Sequence, residues 1–378
     1  MKPFSKPLSL LVLIFSLVVL FVPGLGVQVQ SMGPGINTYS ELLEGTVTQV
    51  LPGADEDVLT LKIEKGSQKG EFVDVPYSPE SFSSGLEYQK GDSLVLMYSF
   101  PPGMEPSYAV VDYVRHPIVL NLFLLFLALS LVVTRWQGVA AFTGMIFSFA
   151  VLAKGILPFI LNGASPIGAT LLGMCIIVPV SFGLSHGWSK KTAVAMLGTL
   201  LALFGTGLLA LFFSKWAHLT GFASEEAMFL NQALGQELQL LGLVLAGMMI
   251  GVLGVLDDVT ISQAAIVSEL HQVDKKLPPW RLYAHAMRVG HDHIASIINT
   301  LVLIYVGSAL PLVLLFMQEE QSFMSVLNYE TVAQELIQML VGSIGLILAV
   351  PLTTLVAVFI LPGSMSEEAS SSHHRAHK

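Results

Sequence analysis

Carboxylates and an amide inside apolar segments are the residues of this sequence best suited to do chemistry. Asp257 and Asp258 directly follow one long apolar run, and Asp292 and Asn299 lie at the start of another. A polar group in hydrocarbon is costly unless it meets a protein partner or water, and such groups often mark the pathways of ions or protons. These four residues therefore define a first candidate site.

The spacing of the polar residues places them on two helix faces. Asp292, Ser296 and Asn299 follow the i, i+4, i+7 pattern of one face, and Asp258 and Ser262 share a face of the preceding segment. Antiparallel packing of the two segments across the loop Val259–Gly290 would bring these faces together. The complete candidate polar site is Asp257, Asp258, Ser262, Arg288, Asp292, Ser296, Asn299, Thr300 and Tyr305.

Two interpretations of this site stay open. Counting residues places Asp257 and Asp258 about 28–30 Å from the outer start of their segment, at the inner interface, where charges can simply end a helix in water. Asn299 and Tyr305 lie deeper, about 9 and 18 Å into the core. Arg288 is the nearest cation for Asp258. Polar residues grouped in this way indicate either a transport site or two packed helices held together by internal hydrogen bonds.

Small residues and histidines add two further hypotheses. Gly247 and Gly251 form a small-xxx-small pattern, followed by Gly254, that favours close helix packing, with flexibility beside the aspartates as the alternative. His291 and His293 are two residues apart, so on a helix they point about 200° from each other and cannot chelate together. No phosphate loop, zincin spacing or nucleophile elbow is present. We expect no bound metal, no cofactor and no catalytic activity.

The composition indicates a membrane protein. Of 378 residues, 53% are apolar and 12% charged, with a mean hydropathy of +0.70, whereas soluble chains carry about twice that share of charge. No basic field suggests nucleic acid. A spanning helix needs about 20 mostly apolar residues. Seven runs meet this requirement: Ile118–Val133, Val139–Leu157, Ile167–Leu184, Thr192–Phe213, Leu238–Leu256, Ile294–Phe316 and Leu336–Leu361.

The chain divides into four predicted parts. Residues 1–26 are a signal anchor or a signal peptide, because Leu8–Val22 is short enough for either. Residues 27–115 form an extracytoplasmic domain, 116–362 a seven-helix transmembrane domain, and 363–378 a disordered cytoplasmic tail. The sequence thus predicts an α-helical polytopic membrane protein of the bacterial plasma membrane, with both termini cytoplasmic; a homo-oligomer stays open.

Loop charges fix this orientation. Positive residues concentrate in loops on the cytoplasmic side. The predicted inner loops carry Arg135, Lys190, Lys191, Lys275, Lys276, Arg281 and Arg288. The predicted outer loops carry the acids Glu225, Glu226, Glu319, Glu320 and Glu330.

Residues 27–115 have the alternation of a β domain. Leu59, Leu61 and Ile63 fall on one face of a predicted strand, with polar residues between them. Five strands are expected: Gly45–Leu51, Val58–Glu64, Glu71–Tyr77, Ser93–Phe100 and Tyr108–Val114. Five strands in a small domain suggest an OB-like barrel. It lacks a basic and aromatic stripe, so we expect a structural role, or docking of an exported protein partner.

Two linked motifs resemble the YibE/F family of bacterial membrane proteins. Gly251–Gln263 reads GVLGVLDDVTISQ, and Arg288–Gly307 reads RVGHDHIASIINTLVLIYVG. His186–Thr192 and Leu219–Glu226 are similar to that family too, and the likeness covers Ile118–Leu361. The resemblance implies a multi-pass bacterial plasma-membrane protein and is compatible with a permease.

The same resemblance suggests which residues matter. The recurrent aspartate of the first motif falls on Asp258, beside Asp257. The recurrent residues of the second motif fall on Gly290, Asp292, Asn299 and Thr300. His291 stands where the family pattern leads us to expect arginine, which leaves Arg288 as the substitute cation.

The function we expect is that of a permease for a small solute or ion. The alternative is a membrane scaffold or assembly factor that does not transport and whose outer β domain docks an exported partner. A dry, fully bonded contact between the polar faces would favour the scaffold.

Overall fold

The computed structural model describes residues 40–52, 56–77, 88–234, 239–318 and 322–375. The predicted segment Leu8–Val22 lies outside these residues. The strands are β1 (Ser40–Leu51), β2 (Asp57–Lys65), β3 (Phe72–Tyr77), β4 (Ser93–Ser99) and β5 (Ser107–Tyr113). The α-helices are α1 (His116–Thr134), α2 (Trp136–Val151), α3 (Leu157–Leu161), α4 (Pro166–His186), α5 (Lys190–Trp216), α6 (Glu225–Leu234), α7 (Leu240–Val273), α8 (Pro279–Ser308), α9 (Leu310–Gln318), α10 (Phe323–Val326) and α11 (Glu330–Arg375). A π-helical turn, Leu152–Ile156, joins α2 to α3.

The strands form one curled antiparallel sheet, in the order β3-β2-β1-β4-β5. The alternation predicted for the second strand is confirmed, because Leu59, Leu61 and Ile63 are buried. They join residues from the other strands in one apolar core that includes Leu43 and Leu94. The sheet and α1 belong to one compact unit, and the helices from α2 onward form another.

Each of the seven predicted apolar segments overlaps a long helical stretch, so their number is confirmed. The described residues contain seven helical stretches long and apolar enough to cross a membrane, the first being α1 and the last Glu330–Leu361. In the helical unit, α5, α7 and α11 pack against one another. Helix α8 packs on α11 and α7, and α4 packs on α2, α5 and α7.

The bundle has two chemically distinct ends. The basic end carries Lys190, Lys191, Lys275, Lys276 and Arg281, where α5 and α8 begin and α7 ends. The acidic end carries Glu225, Glu226 and Glu330, where α5 ends and α11 begins. At the acidic end the Glu330 carboxylate accepts hydrogen bonds from Thr220 N (2.6 Å), Thr220 Oγ1 (2.9 Å) and Gly221 N (3.0 Å).

Three helix boundaries differ from those expected. The predicted extent of the loop, Val259–Gly290, is wrong, because α7 continues to Val273 and α8 begins at Pro279. Both extensions contain good helix formers that a hydropathy criterion overlooks because they are polar. The predicted segment Ile294–Phe316 is instead divided between α8 and α9. Helix α11 extends to Arg375, although a disordered tail was expected from residue 363.

The β domain allows a paired test of its core. Gly66 and Gly70 both have positive φ, but a Cβ at Gly66 would lie 2.1 Å from Leu43 Cδ2, whereas a Cβ at Gly70 meets nothing within 4 Å. Overpacking of this kind costs about 1–3 kcal/mol. We expect Gly66→Ala to make the domain more sensitive to pulse proteolysis of the full-length protein than Gly70→Ala does. Equal sensitivity of the two variants to proteolysis would show that the Leu43 side chain can move aside for the added methyl group.

Candidate functional site

The candidate residues on α7 lie along one outward face. Gly247, Gly251, Gly254, Asp258 and Ser262 are all exposed. A Cβ added at any of the three glycines would meet nothing within 4 Å. Within this chain the glycines therefore bring no other helix close, although their small-xxx-small pattern favours close packing.

The candidate residues on α8 also face outward. Arg288, Asp292, Ser296 and Asn299 are exposed, as is Thr300, whose hydroxyl donates to the Ser296 carbonyl at 3.0 Å. The buried side of α8 is formed by other residues, among them Gly290 and Leu301. Helical periodicity places these two groups on opposite sides of α8.

The structure therefore does not bring the two polar faces together. Where the chain is described, neither Asp258 nor Asp292 takes part in a salt bridge, and Arg288 does not pair with Asp258. Between α7 and α8 lie apolar side chains instead, including Val259, Ile294 and Ile297. The expected hairpin of facing polar groups, wet or dry, is absent between these described helices.

The depths inferred from the sequence also need correction. Asp258 lies in the interior of α7, because Val273 is about 22 Å further along the helix. Asn299 and Tyr305 lie about 30 and 39 Å from the start of α8, near its other end. Helix contacts confirm the new heights: Thr260 meets Thr199, which lies about 13 Å from the start of α5.

Asp257 has a different environment from Asp258. It is half-buried, and its Oδ1 atom is buried without a hydrogen-bond partner among the described residues. The Thr260 hydroxyl donates to its backbone carbonyl (3.2 Å) rather than to its carboxylate. Asp257 is therefore the candidate carboxylate most enclosed by the bundle.

Buried hydroxyls and one amide form a polar seam that sequence reasoning missed. Thr199 on α5 and Thr260 on α7 share a hydrogen bond of 2.7 Å. Gln263 Nε2 donates to Thr354 Oγ1 on α11 (2.7 Å) and to the Ala286 carbonyl on α8 (3.2 Å). All four side chains are almost fully buried. The seam therefore joins four helices through satisfied polar groups.

Glycines allow the close approach that the seam needs. A Cβ at Gly198 on α5 would lie 2.2 Å from Thr353 Oγ1, and one at Gly345 on α11 would lie 2.2 Å from Thr206 Oγ1. At Gly290 on α8, a Cβ would lie 2.7 Å from Val350 Cγ1. Helices of this chain approach closely at these glycines. They do not do so at Gly247, Gly251 and Gly254 on α7. The close-approach glycines share no sequence signal: Gly198 precedes Thr199, whereas Gly345 and Gly290 have no threonine beside them.

An apolar cavity lies near the acidic end, between α8, α9, α10 and α11. Its volume is about 410 Å³. Among its lining residues in the described chain, Glu335 carries the only charge and Tyr305 the only other hydrogen-bonding side chain. The remaining lining is aliphatic side chains and methionine, including Leu312, Leu336 and Met339. Tyr305 is the predicted site residue that lines this cavity.

Two turns explain other motifs noted in the sequence. Gly187 ends α4 with φ 73°, and the Ser189 hydroxyl accepts from Thr192 N (3.1 Å) to cap α5. The Trp188 ring covers Gly183, where a Cβ would lie 2.8 Å from it. Gly221 has φ 86°, and a Cβ there would lie 2.6 Å from the backbone of Leu240. Both motifs therefore fix the connections between helices.

The fold and motifs define a class of protein with seven long apolar helical stretches among the described residues and a small β domain. A family model for YibE/F-like proteins matches residues 122–363, more than half of the chain. The protein therefore belongs to the YibE/F-like family, as the motifs suggested. No curated protein and no solved structure matches the chain.

The seam can be tested with two glycines of α5. Gly198→Ala places a methyl group against Thr353, and we expect about 1–3 kcal/mol of destabilisation, seen as a lower Tm of the detergent-purified protein. Gly205→Ala is the matched control, because a Cβ there meets nothing within 4 Å. Alanine is the better helix former by about 1 kcal/mol, so the control should be neutral or stabilised. A similar Tm for both variants would contradict the role of close packing.

Proposed function

We propose that this protein is an integral protein of the bacterial plasma membrane, with seven helices crossing the bilayer after residue 115. The outward side chains of the bundle support this, since large apolar groups exposed over a wide surface suit lipid rather than water. Examples are Leu172, Ile176, Phe204, Leu208 and Phe212, each more than half exposed. The positive-inside rule places the basic end and both termini in the cytoplasm.

The β domain then lies outside the cytoplasm, and we assign it an OB-like barrel. The support is its strand order together with the approach of β3 to β5, which would close the sheet. Closure in this order is how a five-stranded OB barrel protects its edges.

The activity we propose is that of a permease, with the cavity between Tyr305 and Glu335 as the solute site. The observation that carries this is a single carboxylate in an apolar cavity near one end of the spanning bundle. A binding site for a small molecule usually combines apolar walls with a few polar groups that orient the ligand. The polar site predicted from the sequence, with Asp258, Asp292 and Asn299, faces outward. Tyr305 is the one residue shared by that predicted site and the cavity.

The cavity indicates the chemical class of its solute. A half-buried carboxylate beside apolar walls is best satisfied by a cation. Apolar surfaces around Glu335 favour a cation that itself carries apolar groups over a hydrated metal ion. The Tyr305 hydroxyl can supply one orienting hydrogen bond. The solute is therefore a small organic cation with apolar substituents.

Binding by the purified protein tests this class directly. Tetraphenylphosphonium and tetraphenylborate have the same shape and opposite charges, and we expect only the cation to bind. Glu335→Gln should weaken binding about tenfold, which corresponds to about 1.4 kcal/mol. Glu225→Gln is the control, since Glu225 is an exposed acid outside the cavity lining. Binding of the anion with equal affinity would exclude the electrostatic role of Glu335.

Flux measurements separate the cavity from the outward polar faces. Proteoliposomes that contain DNA report entry of the cation ethidium as a rise in fluorescence. We expect Glu335→Gln to slow uptake and Asp258→Asn to leave it unchanged, because Asp258 faces away from the cavity. If Asp258→Asn instead stops uptake and Glu335→Gln does not, the path follows α7 and the cavity is not the solute site.

A scaffold role is the second candidate, favoured by one surface of the β domain. Leu42 and Met97 pair across β1 and β4 on the side away from the core and are exposed, as is Val111 on β5. An exposed apolar patch on a small domain marks a site of protein or membrane contact. A photocrosslinker at Met97 that captured one exported protein in equimolar amount, without any cation flux, would favour the scaffold over the permease.

A further inference from the structure

The outward side of α8 carries a strip of charged and small residues. We call it the α8 strip; it consists of Arg288, Asp292, Ala295, Ser296 and Asn299, all exposed. Apolar side chains continue the same side toward the acidic end, where Leu303 is 63% exposed. The strip therefore interrupts a surface that is otherwise suited to lipid.

The charged and amide side chains of the strip have no polar partner in the described part of the chain. Among the described residues, no ion pair or side-chain hydrogen bond engages Arg288, Asp292 or Asn299. The two charges lie one helical turn apart, yet they do not pair with each other. Opposite charges and an amide thus have no polar partner among the described residues.

Helix packing fixes the depth of the strip. Gly290, two residues before Asp292, packs against Gln263 and Val350. Val350 lies about 16 Å from Leu361, the end of the apolar part of α11. In the membrane orientation proposed above, Asp292 and Asn299 therefore face the hydrocarbon, where bare polar groups are strongly unfavourable. This step relies on membrane insertion and not on the cavity.

We propose that the α8 strip is the contact between two copies of this chain, related by a two-fold axis along the membrane normal. Such an axis places equivalent residues of the two copies at equal depth, and each residue meets the same surface patch. Arg288 of one copy then lies one turn from Asp292 of the other. Two arginines and two aspartates form a neutral cluster, and the two Asn299 amides donate to and accept from each other.

The chemistry of the strip favours a second copy over other occupants. An anionic lipid headgroup would satisfy Arg288 and leave Asp292 unpaired. A polar helix of another protein would need matching charges at the same heights, which a second copy supplies by symmetry. Ala295 and Ser296 lie between the charges and Asn299, and their small side chains let two helix backbones approach closely. Polar side chains at such a contact stabilise association in lipid.

Disulfide crosslinking in native membranes tests the contact. The one cysteine, Cys175, is first replaced by alanine. Ala295→Cys should then give a covalent dimer on mild oxidation. Leu208→Cys is the matched control, because Leu208 is exposed on α5 and lies two residues from Thr206, which packs against Gly345 at about the height of Ala295. It should stay monomeric. Equal crosslinking of both variants, or none at Ala295→Cys, would overturn the proposal.

Charge reversal tests the pairing itself. In the Ala295→Cys background, Arg288→Asp and Asp292→Arg should each lower the dimer fraction at least fivefold, because two copies then oppose like charges. Co-expression of these two variants, distinguished by size tags, should restore a heterodimer and no homodimer. Restoration also demonstrates that each variant folds. Failure to restore the heterodimer contradicts the proposed pairing.

The outcome is separable from the permease proposal. Membrane fractionation of the same samples reports insertion, and tetraphenylphosphonium binding reports the cavity. A monomer that is inserted and binds the cation would overturn only the contact between copies.

Discussion

Close approach of α5, α7 and α11 is the constraint on which the helical unit depends. In lipid, apolar side chains gain little by meeting one another, so helices associate through tight packing and hydrogen bonds. Gly198 and Gly345 remove the side chains that would hold α5 and α11 apart. The bond between Thr199 and Thr260 then attaches α7. Because these groups are nearly fully buried and bonded, losing one partner would leave the other unsatisfied, at a cost of about 1–3 kcal/mol.

On the permease proposal, the polar seam is not where the solute binds, because its side chains are already hydrogen-bonded. Its polar groups are committed to one another, and the described core around them contains close-packed side chains rather than open volume. One cavity lies where long helices give way to short ones. After Ser308 the chain continues as the short helices α9 and α10 beside α11. The cavity between Tyr305 and Glu335 lies in this region, and on the permease proposal it puts the solute near the acidic end of the helical unit.

The sequence predicts the number and kind of elements better than their ends and contacts. Hydropathy found the seven helical stretches, and alternation found the buried face of β2. Hydropathy puts Asp258 at the end of its helix because it detects only where the apolar residues stop. Helix α7 in fact continues through polar helix formers to Val273. Gln263 was overlooked because its partner, Thr354, is distant in the chain. Gly251 and Gly198 look alike in sequence; only the neighbouring helix distinguishes open space from a tight contact.

One short motif serves two surfaces of α8. Gly290 and Asp292 are two residues apart and therefore point about 200° from each other on the helix. The glycine lets α8 rest against Gln263 and Val350, and this contact fixes the height and direction of the aspartate on the opposite side. The outward charge is thus held by a tightly packed inner face rather than by a loop. Whatever group meets Asp292 must meet it at a fixed depth, which favours a partner whose own charges are held equally firmly.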